Sequence, residues 1–383
     1  MTRRSTRRRF VQAAGAAGIV GLAGCAGSGG DGGSSDGSGG SSDGSGSGDG
    51  GDGGSTDGAS TGSGGDDDPF RVGMVYTTAG KGDEGFNDSA AEGMQRAQDE
   101  LNVEVTEAEP EGSEQYSTFL QQFARQDNDL VCGLSFEMQT PVQQVASSFP
   151  DQQFTIVDTA VDASNVASYL YREHEGCYLV GQMAGLLTQM EFSAGGGSTN
   201  SDAVVGFIGG KKNPVIEKFH AGYRAGVQAL DADIEFRSAY AGTWTSPSQG
   251  KSIAESMYNE GADIVFPAAG GTGLGAFQAA QEMERYAVGV DKEQSKATPE
   301  FANVILGSMV KRVGEAFFRS ISNSIEGNHR GGEQFELGVE REGVDLVYGS
   351  ELGSQLPEEV TSAVTDARDG IVGGDISVPS TLG

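Results

Sequence analysis

From residue 69 onward, short apolar runs alternate with longer stretches in which apolar residues recur every three or four positions. The short runs indicate buried β-strands, and the longer stretches are typical of helices with one apolar face. The predicted strands are residues 70–76, 130–136, 153–158, 203–209, 263–267, 286–291 and 304–309. The predicted helices are residues 89–101, 115–126, 176–190, 213–229, 249–260, 273–283 and 310–325. This alternation predicts an α/β fold with parallel sheets covered by helices, and the number of strands favours two Rossmann-like lobes.

Gly, Asp, Phe and Asn are frequent directly after the ends of the predicted strands. They occur in loop 77–86, at Asp158, in 209–211 and 268–273, and at Asp291. Because ligands of parallel α/β sheets bind at the carboxyl ends of the strands, these positions are expected to share one site. Their chemistry suits a polar, planar ligand.

The N-terminal residues have the features of an export signal. Residues 6–11 read Thr-Arg-Arg-Arg-Phe-Val, similar to a twin-arginine signal, and an apolar stretch follows at residues 11–24. That stretch is too short to span a bilayer, and it leads into Leu-Ala-Gly-Cys, which resembles a lipobox. Residues 1–24 are therefore predicted to be a twin-arginine lipoprotein signal peptide, and Cys25 is predicted to carry the lipid.

Residues 26–68 contain only Gly, Ser, Asp, Thr and Ala. Without an apolar residue larger than Ala, this segment cannot bury a core, and its Asp residues repel one another. Residues 25–68 are thus predicted to be the lipidated Cys followed by a disordered tether.

The charge balance is strongly acidic, with 55 Asp and Glu residues against 25 Lys and Arg residues and a formal net charge of −30 over 383 residues. Such a surface repels the phosphate backbone, which argues against nucleic-acid binding. The acidic residues are spread along the chain and Lys is scarce, a pattern that resembles proteins from salt-loving (halophilic) organisms.

The chain has three Cys and three His residues. If lipid consumes Cys25, then Cys132 and Cys177 could form a disulfide, although small buried side chains are the favoured interpretation. Neither has the spacing of a metal site, and so few His residues leave little material for a zinc or His-based catalytic centre. No metal, cofactor or catalytic residue is predicted.

Short segments after residue 69 follow one another in an order typical of one protein family. They are Gly82-Asp83-Glu84-Gly85-Phe86-Asn87-Asp88, Ile156-Val157-Asp158, Glu175-Gly176-Cys177-Tyr178-Leu179-Val180-Gly181, Val205-Gly206-Phe207-Ile208-Gly209-Gly210, Phe219-His220-Ala221-Gly222-Tyr223, Gly261-Ala262-Asp263-Ile264-Val265-Phe266, Ala269-Gly270-Gly271-Thr272-Gly273, Val288-Gly289-Val290-Asp291 and Gly307-Ser308-Met309-Val310-Lys311. They resemble the basic membrane protein (BMP) family of ABC-transporter substrate-binding lipoproteins, which includes purine nucleoside receptors.

That resemblance implies a type I periplasmic-binding-protein fold, with two α/β lobes, three crossovers and a ligand cleft between the lobes. The crossovers are expected near Arg172, Asp291 and Ser308. Lobe 1 is then expected at residues 69–172 plus 293–308, and lobe 2 at residues 173–292 plus 309–383.

For the base of a nucleoside, the resemblance implies a sandwich between two aromatic rings. Phe86 matches the first ring, and Trp244 falls where the family usually has Phe. Asp158 is expected to accept a base N–H, and Asn87 to offer a donor and an acceptor. Gly85 stands where the family usually has Ser, so the family pattern does not predict which hydrogen bonds this loop makes to a base.

For the sugar, the resemblance implies a second group of residues. Asp291 is expected to accept hydrogen bonds from two ribose hydroxyls. Lys311 is expected to donate to a sugar hydroxyl and to neutralise Asp291. Gly270 and Gly271 are expected to let backbone amides approach the ribose closely.

The predicted function is capture of a nucleoside, with purines as the expected class, by an extracytoplasmic lipoprotein on the outer face of the cell membrane. Its expected partners are the permease and ATPase subunits of an ABC importer, and no enzymatic activity is expected. Two alternatives stay open: a sugar or signalling molecule as the ligand, and a role as a sensor instead of in uptake.

Overall fold

The computed structural model describes residues 68–230 and 232–383. The predicted signal peptide at 1–24, Cys25 and the predicted tether up to residue 67 lie outside the described residues. Among the described residues, no helix combines the length and apolar character that crossing a membrane requires.

Fourteen strands and ten α-helices are present in the described part of the chain. The strands are β1 (Phe70–Val75), β2 (Val103–Ala108), β3 (Leu130–Leu134), β4 (Gln153–Val157), β5 (Val166–Tyr171), β6 (Ser193–Ala194), β7 (Gly197–Ser198), β8 (Val204–Gly209), β9 (Glu235–Tyr240), β10 (Ala262–Ala268), β11 (Tyr286–Asp291), β12 (Ile305–Lys311), β13 (Gln334–Leu337) and β14 (Val344–Tyr348). The helices are α1 (Phe86–Glu100), α2 (Tyr116–Ala124), α3 (Gln139–Ser148), α4 (Glu173–Leu187), α5 (Pro214–Gln228), α6 (Pro247–Asn259), α7 (Leu274–Glu282), α8 (Gln294–Ala297), α9 (Val313–Ile325) and α10 (Glu358–Gly373).

The large strands form two six-stranded sheets. Sheet 1 has the order β13-β5-β4-β3-β1-β2, and every neighbouring pair is parallel. Sheet 2 has the order β14-β12-β11-β10-β8-β9, and β14 alone runs antiparallel to its neighbour. We call the halves built on these sheets lobe 1 and lobe 2. The α/β fold with two parallel sheets is confirmed.

The chain passes between the sheets at three places. It leaves sheet 1 after β5 at Arg172, returns after β12 at Arg312, and leaves again between β13 and β14. The crossovers expected at Asp291 and Ser308 are therefore wrong, because β11 and β12 are direct neighbours in sheet 2.

The expected lobe boundaries change with the crossovers. Residues 293–308 are expected in lobe 1, but their strand β12 pairs within sheet 2. Residues 309–383 are expected in lobe 2, but α9 packs on α1 and β13 pairs with β5 of sheet 1. The apolar pattern of β12 runs directly into that of α9, so the sequence conceals the crossover between them.

Helices α1 and α9 approach each other closely on one face of sheet 1. A Cβ atom on Gly93 would lie within 2.5 Å of the Gly314 Cα atom. Arg96 of α1 forms an ion pair with Glu315 of α9 at 2.8 Å beside this contact. The close approach depends on both glycines because any side chain would separate the two helices.

Cys132 and Cys177 are both buried and unbonded. Each lies in the apolar core and has no measurable exposure to solvent. Burial raises the pKa of both thiols, so the two residues act as small core side chains here.

Replacing Gly93 with Ala is expected to destabilise the protein by about 2 kcal/mol, because the added Cβ overlaps the Gly314 backbone. The sign of the change in unfolding free energy tests the packing, because Gly→Ala in a helix without such a neighbour stabilises the protein by roughly 0.5–1 kcal/mol. Urea unfolding measures the difference. Gln98→Ala on the exposed side of α1 is the matched control and should change stability by less than about 0.5 kcal/mol. A stabilised Gly93→Ala protein would contradict the packing of α1 on α9.

Candidate ligand-binding cleft

The carboxyl ends of both sheets border one cavity of about 670 Å³, part of which is open to solvent. Its walls come from the ends of β10, β11 and β12, from the loops that follow β1, β3, β4, β8, β9 and β10, and from the first part of α1 and of α5. The lining residues are Thr77, Thr78, Ala79, Phe86, Asn87, Ser135, Phe136, Glu137, Asp158, Asn213, Val215, Ile216, Phe219, Trp244, Ala268, Ala269, Gly270, Val290, Asp291 and Lys311. Apolar side chains and a few converging polar groups line this space, which is the pattern of small-molecule binding sites.

Seven of the eight ligand-binding residues predicted from the sequence line this cavity. They are Phe86, Asn87, Asp158, Trp244, Gly270, Asp291 and Lys311. The eighth, Gly271, does not contribute to the lining and lies beside the Trp244 carbonyl oxygen. The structure thus brings residues from distant parts of the sequence to one place at the strand ends.

The loop that presents Phe86 is organised by the buried Asp83 carboxylate. Its oxygens accept hydrogen bonds from the backbone amides of Gly85 at 3.0 Å, Asn87 at 3.0 Å and Asp88 at 3.2 Å. Asn87 Nδ2 also donates to Asp83 at 2.8 Å. These bonds cap the first turn of α1, where Phe86 is the first residue, and so hold the backbone that carries its ring.

Asn87 spends most of its hydrogen-bonding capacity inside this loop. Its Oδ1 accepts from the backbone amide of Thr77 at 3.1 Å and from Thr77 Oγ1 at 2.9 Å. The amide oxygen expected to face the ligand is therefore occupied by the protein. One Nδ2 hydrogen beyond the bond to Asp83 remains for a ligand.

Trp244 lies in lobe 2, in the loop between β9 and α6. Its ring rests directly on Gly210, where a Cβ atom would overlap the ring carbons. Its carbonyl oxygen accepts a hydrogen bond from the Thr272 amide at 2.9 Å. Gly210 therefore acts as a platform, and the loop around Thr272 holds the Trp244 backbone against it.

Lys311 is the buried cation at the floor of the cavity. Its ammonium group lies 2.5 Å from Asp158 Oδ1 and 3.0 Å from Glu173 Oε1. The same nitrogen lies 5.0 Å from the centroids of the Phe86 and Tyr171 rings, within cation–π distance. Lys311 is expected from the family pattern to neutralise Asp291, but its ion pairs go to Asp158 and Glu173 instead.

Glu173 and Lys218 extend this charge cluster, and neither is among the predicted site residues. Lys218 Nζ lies 3.1 Å from Glu173 Oε2 and donates to the Tyr171 carbonyl oxygen at 2.9 Å. Burial disfavours ionisation of Glu173, but the two ammonium groups outweigh it and lower the pKa of its carboxyl. Burial likewise opposes the charge on Lys311, and the carboxylates beside it raise its pKa above the ordinary value.

Three residues at the ends of strands adopt left-handed backbone conformations that non-glycine residues seldom occupy. Ser135 has φ 100°, Asp158 has φ 72° and Asp291 has φ 64°. All three line the cavity. Such conformations cost energy and persist where surrounding structure holds them, so they often mark functional sites.

Asp291 is half-buried at the cavity and differs from the buried carboxylates around it in its lack of a partner. Among the described residues, none donates a hydrogen bond to the Asp291 side chain, and no Lys, Arg or His forms an ion pair with it. Burial raises its pKa to about 7; Lys311 opposes this rise, and the negative charges of Asp83, Asp158 and Glu173 add to it. Asp291 therefore presents free acceptor oxygens to the cavity.

Glu137 is a further cavity residue outside the predicted set. It lies in the single helical turn after β3, and its Oε2 accepts from the Tyr116 hydroxyl at 3.2 Å. Its place after a strand end was the available signal in the sequence. Among the described residues, no group of three or more His, Cys, Asp or Glu side chains is arranged to hold a metal ion.

Comparison with known proteins assigns this architecture. Residues 70–381 match the family described as ABC transporter substrate-binding protein PnrA-like. A CD4+ T-cell-stimulating antigen of Listeria monocytogenes is 34% identical over 81% of this chain and 88% of its own length. An ABC transporter nucleoside-binding protein BmpA of Lactococcus lactis is 30% identical over 81% of this chain and 89% of its own length. An ABC transporter solute-binding protein of Aeropyrum pernix superposes with a TM-score of 0.70 at 28% identity, covering 82% of this chain and 94% of that one.

Asp291 should make the ligand-free protein less stable as the pH rises. Its pKa of about 7 in the folded state lies well above the value near 3.9 of an Asp in an unfolded chain. The folded protein therefore keeps a proton that the unfolded chain releases, and its stability falls as the pH rises from about 4 through 7.

The side chain introduced by Asp291→Asn is neutral at every pH, so this variant should lack the part of the decline in stability that the ionisation of Asp291 causes. We expect this variant to be more stable than the wild type by roughly 1–2 kcal/mol at about pH 8, and by little at about pH 5. Urea unfolding at both pH values measures the difference. Asp151→Asn, on the exposed surface, is the control, and equal pH dependence of Asp291→Asn and the wild type would contradict the assignment.

Proposed function

The chain belongs to the Bmp family of PnrA-like ABC transporter substrate-binding proteins, and from this membership we propose that it captures a nucleoside of the purine class for an ABC importer. Members of this family bind a small molecule and deliver it to a permease driven by an ATPase. The family is one of binding proteins and not of enzymes. That the ligand is a nucleoside and that the protein serves in its uptake are our proposals beyond family membership.

The observation that carries this proposal is the pair of aromatic rings that the two lobes contribute to one cavity. Phe86 comes from lobe 1 and Trp244 from lobe 2, and both line the cleft. A flat base that enters between them can stack on either ring, and each stacking contact contributes about 1–3 kcal/mol. Stacking tolerates different bases, so the polar groups must provide the selection.

Those polar groups are mainly acceptors. Asp158 has one carboxylate oxygen engaged by Lys311, and Asp291 has both oxygens free of protein partners among the described residues. A base supplies N–H donors and a ribose supplies two adjacent hydroxyl donors, which match acceptors on opposite sides of the cleft. A ligand that leaves Asp291 unpaired would forfeit this interaction.

The charges of the cleft argue for a nucleoside and against a nucleotide. Glu137, Asp158 and Asp291 line the cavity, Asp291 as a carboxylate once the pH exceeds its pKa of about 7. Lys311, the cation beside Asp158, is already paired twice. A phosphate ester would meet uncompensated negative charge in a partly buried space, which is costly. Neutral ligands avoid this cost.

Ligand that touches both lobes must stabilise the arrangement in which the lobes face each other, because it binds that arrangement more tightly than a separated one. In this proposal the closed, loaded form is the one that the permease recognises. The motivation is the division of the lining residues between the two lobes.

The N-terminal sequence supports a site of action outside the cell. We propose export through the twin-arginine route and attachment to the outer face of the cell membrane by lipid on Cys25, because an Arg pair, a short apolar stretch and Leu22-Ala23-Gly24-Cys25 occur in this order. The acidic Gly- and Ser-rich residues that follow would act as the tether. The acidic surface suits a halophilic host.

Titration calorimetry of residues 69–383 in high salt tests the ligand. We expect inosine, guanosine or adenosine to bind with a Kd in the micromolar range or below, and ribose and the matching nucleoside monophosphates to bind at least about 100-fold more weakly. Trp244→Ala should weaken nucleoside binding by about 5- to 100-fold because a stacking surface is lost.

Trp244→Phe is the matched control, since it keeps a ring and should retain most of the affinity. Asp291→Asn should weaken a ribonucleoside more than its 2′,3′-dideoxy analogue. Two results would overturn the nucleoside assignment: tight binding of a free sugar, or a folded sample that binds none of the nucleosides. Either result would leave the family and the fold unchanged.

Membrane attachment is tested by replacing the predicted lipid carrier. Cys25→Ala should move the protein from the membrane fraction to the medium or to a soluble fraction, because no other anchor is proposed. Fractionation followed by immunoblotting measures this, with Cys132→Ala as the control. Equal membrane retention of Cys25→Ala and wild type would contradict lipid attachment at this position.

A further inference from the structure

Gln294 occupies a position between the two halves of the cleft. It is the first residue of α8, in lobe 2, and only 2% of its surface is exposed. Its backbone amide donates to Ser308 Oγ at 3.0 Å, which attaches it to β12. Its side-chain amide points the other way and makes two bonds, one in each lobe.

The first side-chain bond stabilises the turn that carries Asp291. Gln294 Oε1 accepts from the Val290 amide at 2.7 Å. This bond closes the segment from Val290 to Gln294, in which Asp291 takes its left-handed conformation with φ 64°. The unusual backbone of Asp291 thus has a specific support, because without it the Val290 amide would be buried and unpaired.

The second side-chain bond crosses the boundary between the lobes. Gln294 Nε2 donates to the Glu84 carbonyl oxygen at 2.8 Å. Glu84 belongs to lobe 1 and has φ 49°, and it precedes Phe86 by two residues in the loop held by Asp83. One planar amide therefore links the turn that presents Asp291 to the loop that presents Phe86.

We propose that Gln294 is a positioning residue that sets the distance and orientation of Asp291 relative to Phe86 across the lobe boundary. It does not line the cavity and need not touch the ligand. Its donor and acceptor are fixed on one rigid group, so a movement of the Phe86 loop is transmitted to the Asp291 turn through this side chain. The buried ion pair between Asp158 and Lys311 links the lobes at a separate place. The effect on ligand affinity rests on the proposed function, whereas the effect on the lobes does not.

A surface ion pair also joins the two lobes near Gln294, but it is expected to contribute less than the buried bond from the Gln294 side-chain amide to Glu84. Lys292 pairs with Glu92 of lobe 1 at 2.7 Å, but 66% of the Glu92 side chain is exposed. Exposed ion pairs contribute little and weaken further in salt. The buried Gln294 bond to Glu84 is expected to persist in the high salt that suits such an acidic protein.

Gln294→Glu separates the two bonds. The carboxylate keeps an acceptor for the Val290 amide but loses the donor to Glu84, so the turn of Asp291 should survive while the link between lobes is lost. The probe is the distance between spin labels attached at Ser148→Cys in lobe 1 and Ser256→Cys in lobe 2, which are both exposed positions on outer helices. It is measured without ligand in the tether-free protein, residues 69–383, with the buried Cys132 and Cys177 left in place.

We expect a narrow distance distribution for the parent protein and a broader or displaced one for Gln294→Glu at about pH 8. At about pH 5 the buried carboxyl should bind a proton and regain a donor, which should restore the parent distribution measured at the same pH. Gln281→Glu is the matched control, because Gln281 Nε2 makes the same kind of bond, to the Glu300 carbonyl at 2.9 Å, within one lobe. It should leave the distribution unchanged.

Unchanged distances in Gln294→Glu, in a sample that melts as a folded protein, would overturn the proposal. So would equal broadening in Gln281→Glu. The effect on ligand affinity is measured separately, by calorimetry with the nucleoside that the parent protein binds. Gln294→Glu should bind this nucleoside roughly tenfold more weakly than the parent at about pH 8, and the difference should disappear towards about pH 5. If the parent protein binds no nucleoside, the proposed function fails, while the distance measurement still decides the role of Gln294.

Discussion

The structure depends on a charge cluster at the junction of the two lobes, in which Lys311, Asp158 and Glu173 are buried and Lys218 is partly exposed. Lys311 lies one residue before the crossover at Arg312, and Glu173 lies one residue after the crossover at Arg172. Asp158 and Lys218 complete the alternation of two carboxylates and two ammonium groups. Removing any one charge would leave another buried and uncompensated, which is far more costly than losing a surface pair. The cluster therefore requires two crossovers, the end of β4 and helix α5 to keep their relative positions, and those elements form the floor of the cleft.

Because the cluster is balanced, Asp291 remains the odd carboxylate. It sits in a left-handed conformation, supported by Gln294, with acceptor oxygens that no described residue satisfies. Such an arrangement is unfavourable in the empty protein and becomes favourable when a ligand supplies donors. Stacking between Phe86 and Trp244 would then provide affinity for a flat group, and the carboxylates would determine what edges and substituents that group must carry.

The sequence predicted most of the strands whose side chains are buried on both faces, since strands such as β8 and β10 read as uninterrupted apolar runs. It missed the four edge strands β2, β9, β13 and β14, whose exposed or half-exposed positions dilute the apolar signal. It also missed the buried strand β5 and the helices α3, α8 and α10. It misplaced the crossover at Arg312, where β12 and α9 share one apolar pattern. Cavity residues that follow strand ends could be predicted from topology, with Phe86, Asp158 and Asp291 as examples. Glu173 and Gln294 could not, because their roles arise from contacts with residues more than 100 positions away.

The central claim is that a nucleoside binds between the lobes, with its base between two rings and its sugar on Asp291. A crystal structure of the protein grown with the nucleoside that it binds most tightly tests this directly. We expect the base between Phe86 and Trp244 and at least one sugar hydroxyl within hydrogen-bonding distance of the Asp291 carboxylate. A ligand bound outside this cavity, or one that leaves Asp291 without a donor, would contradict it.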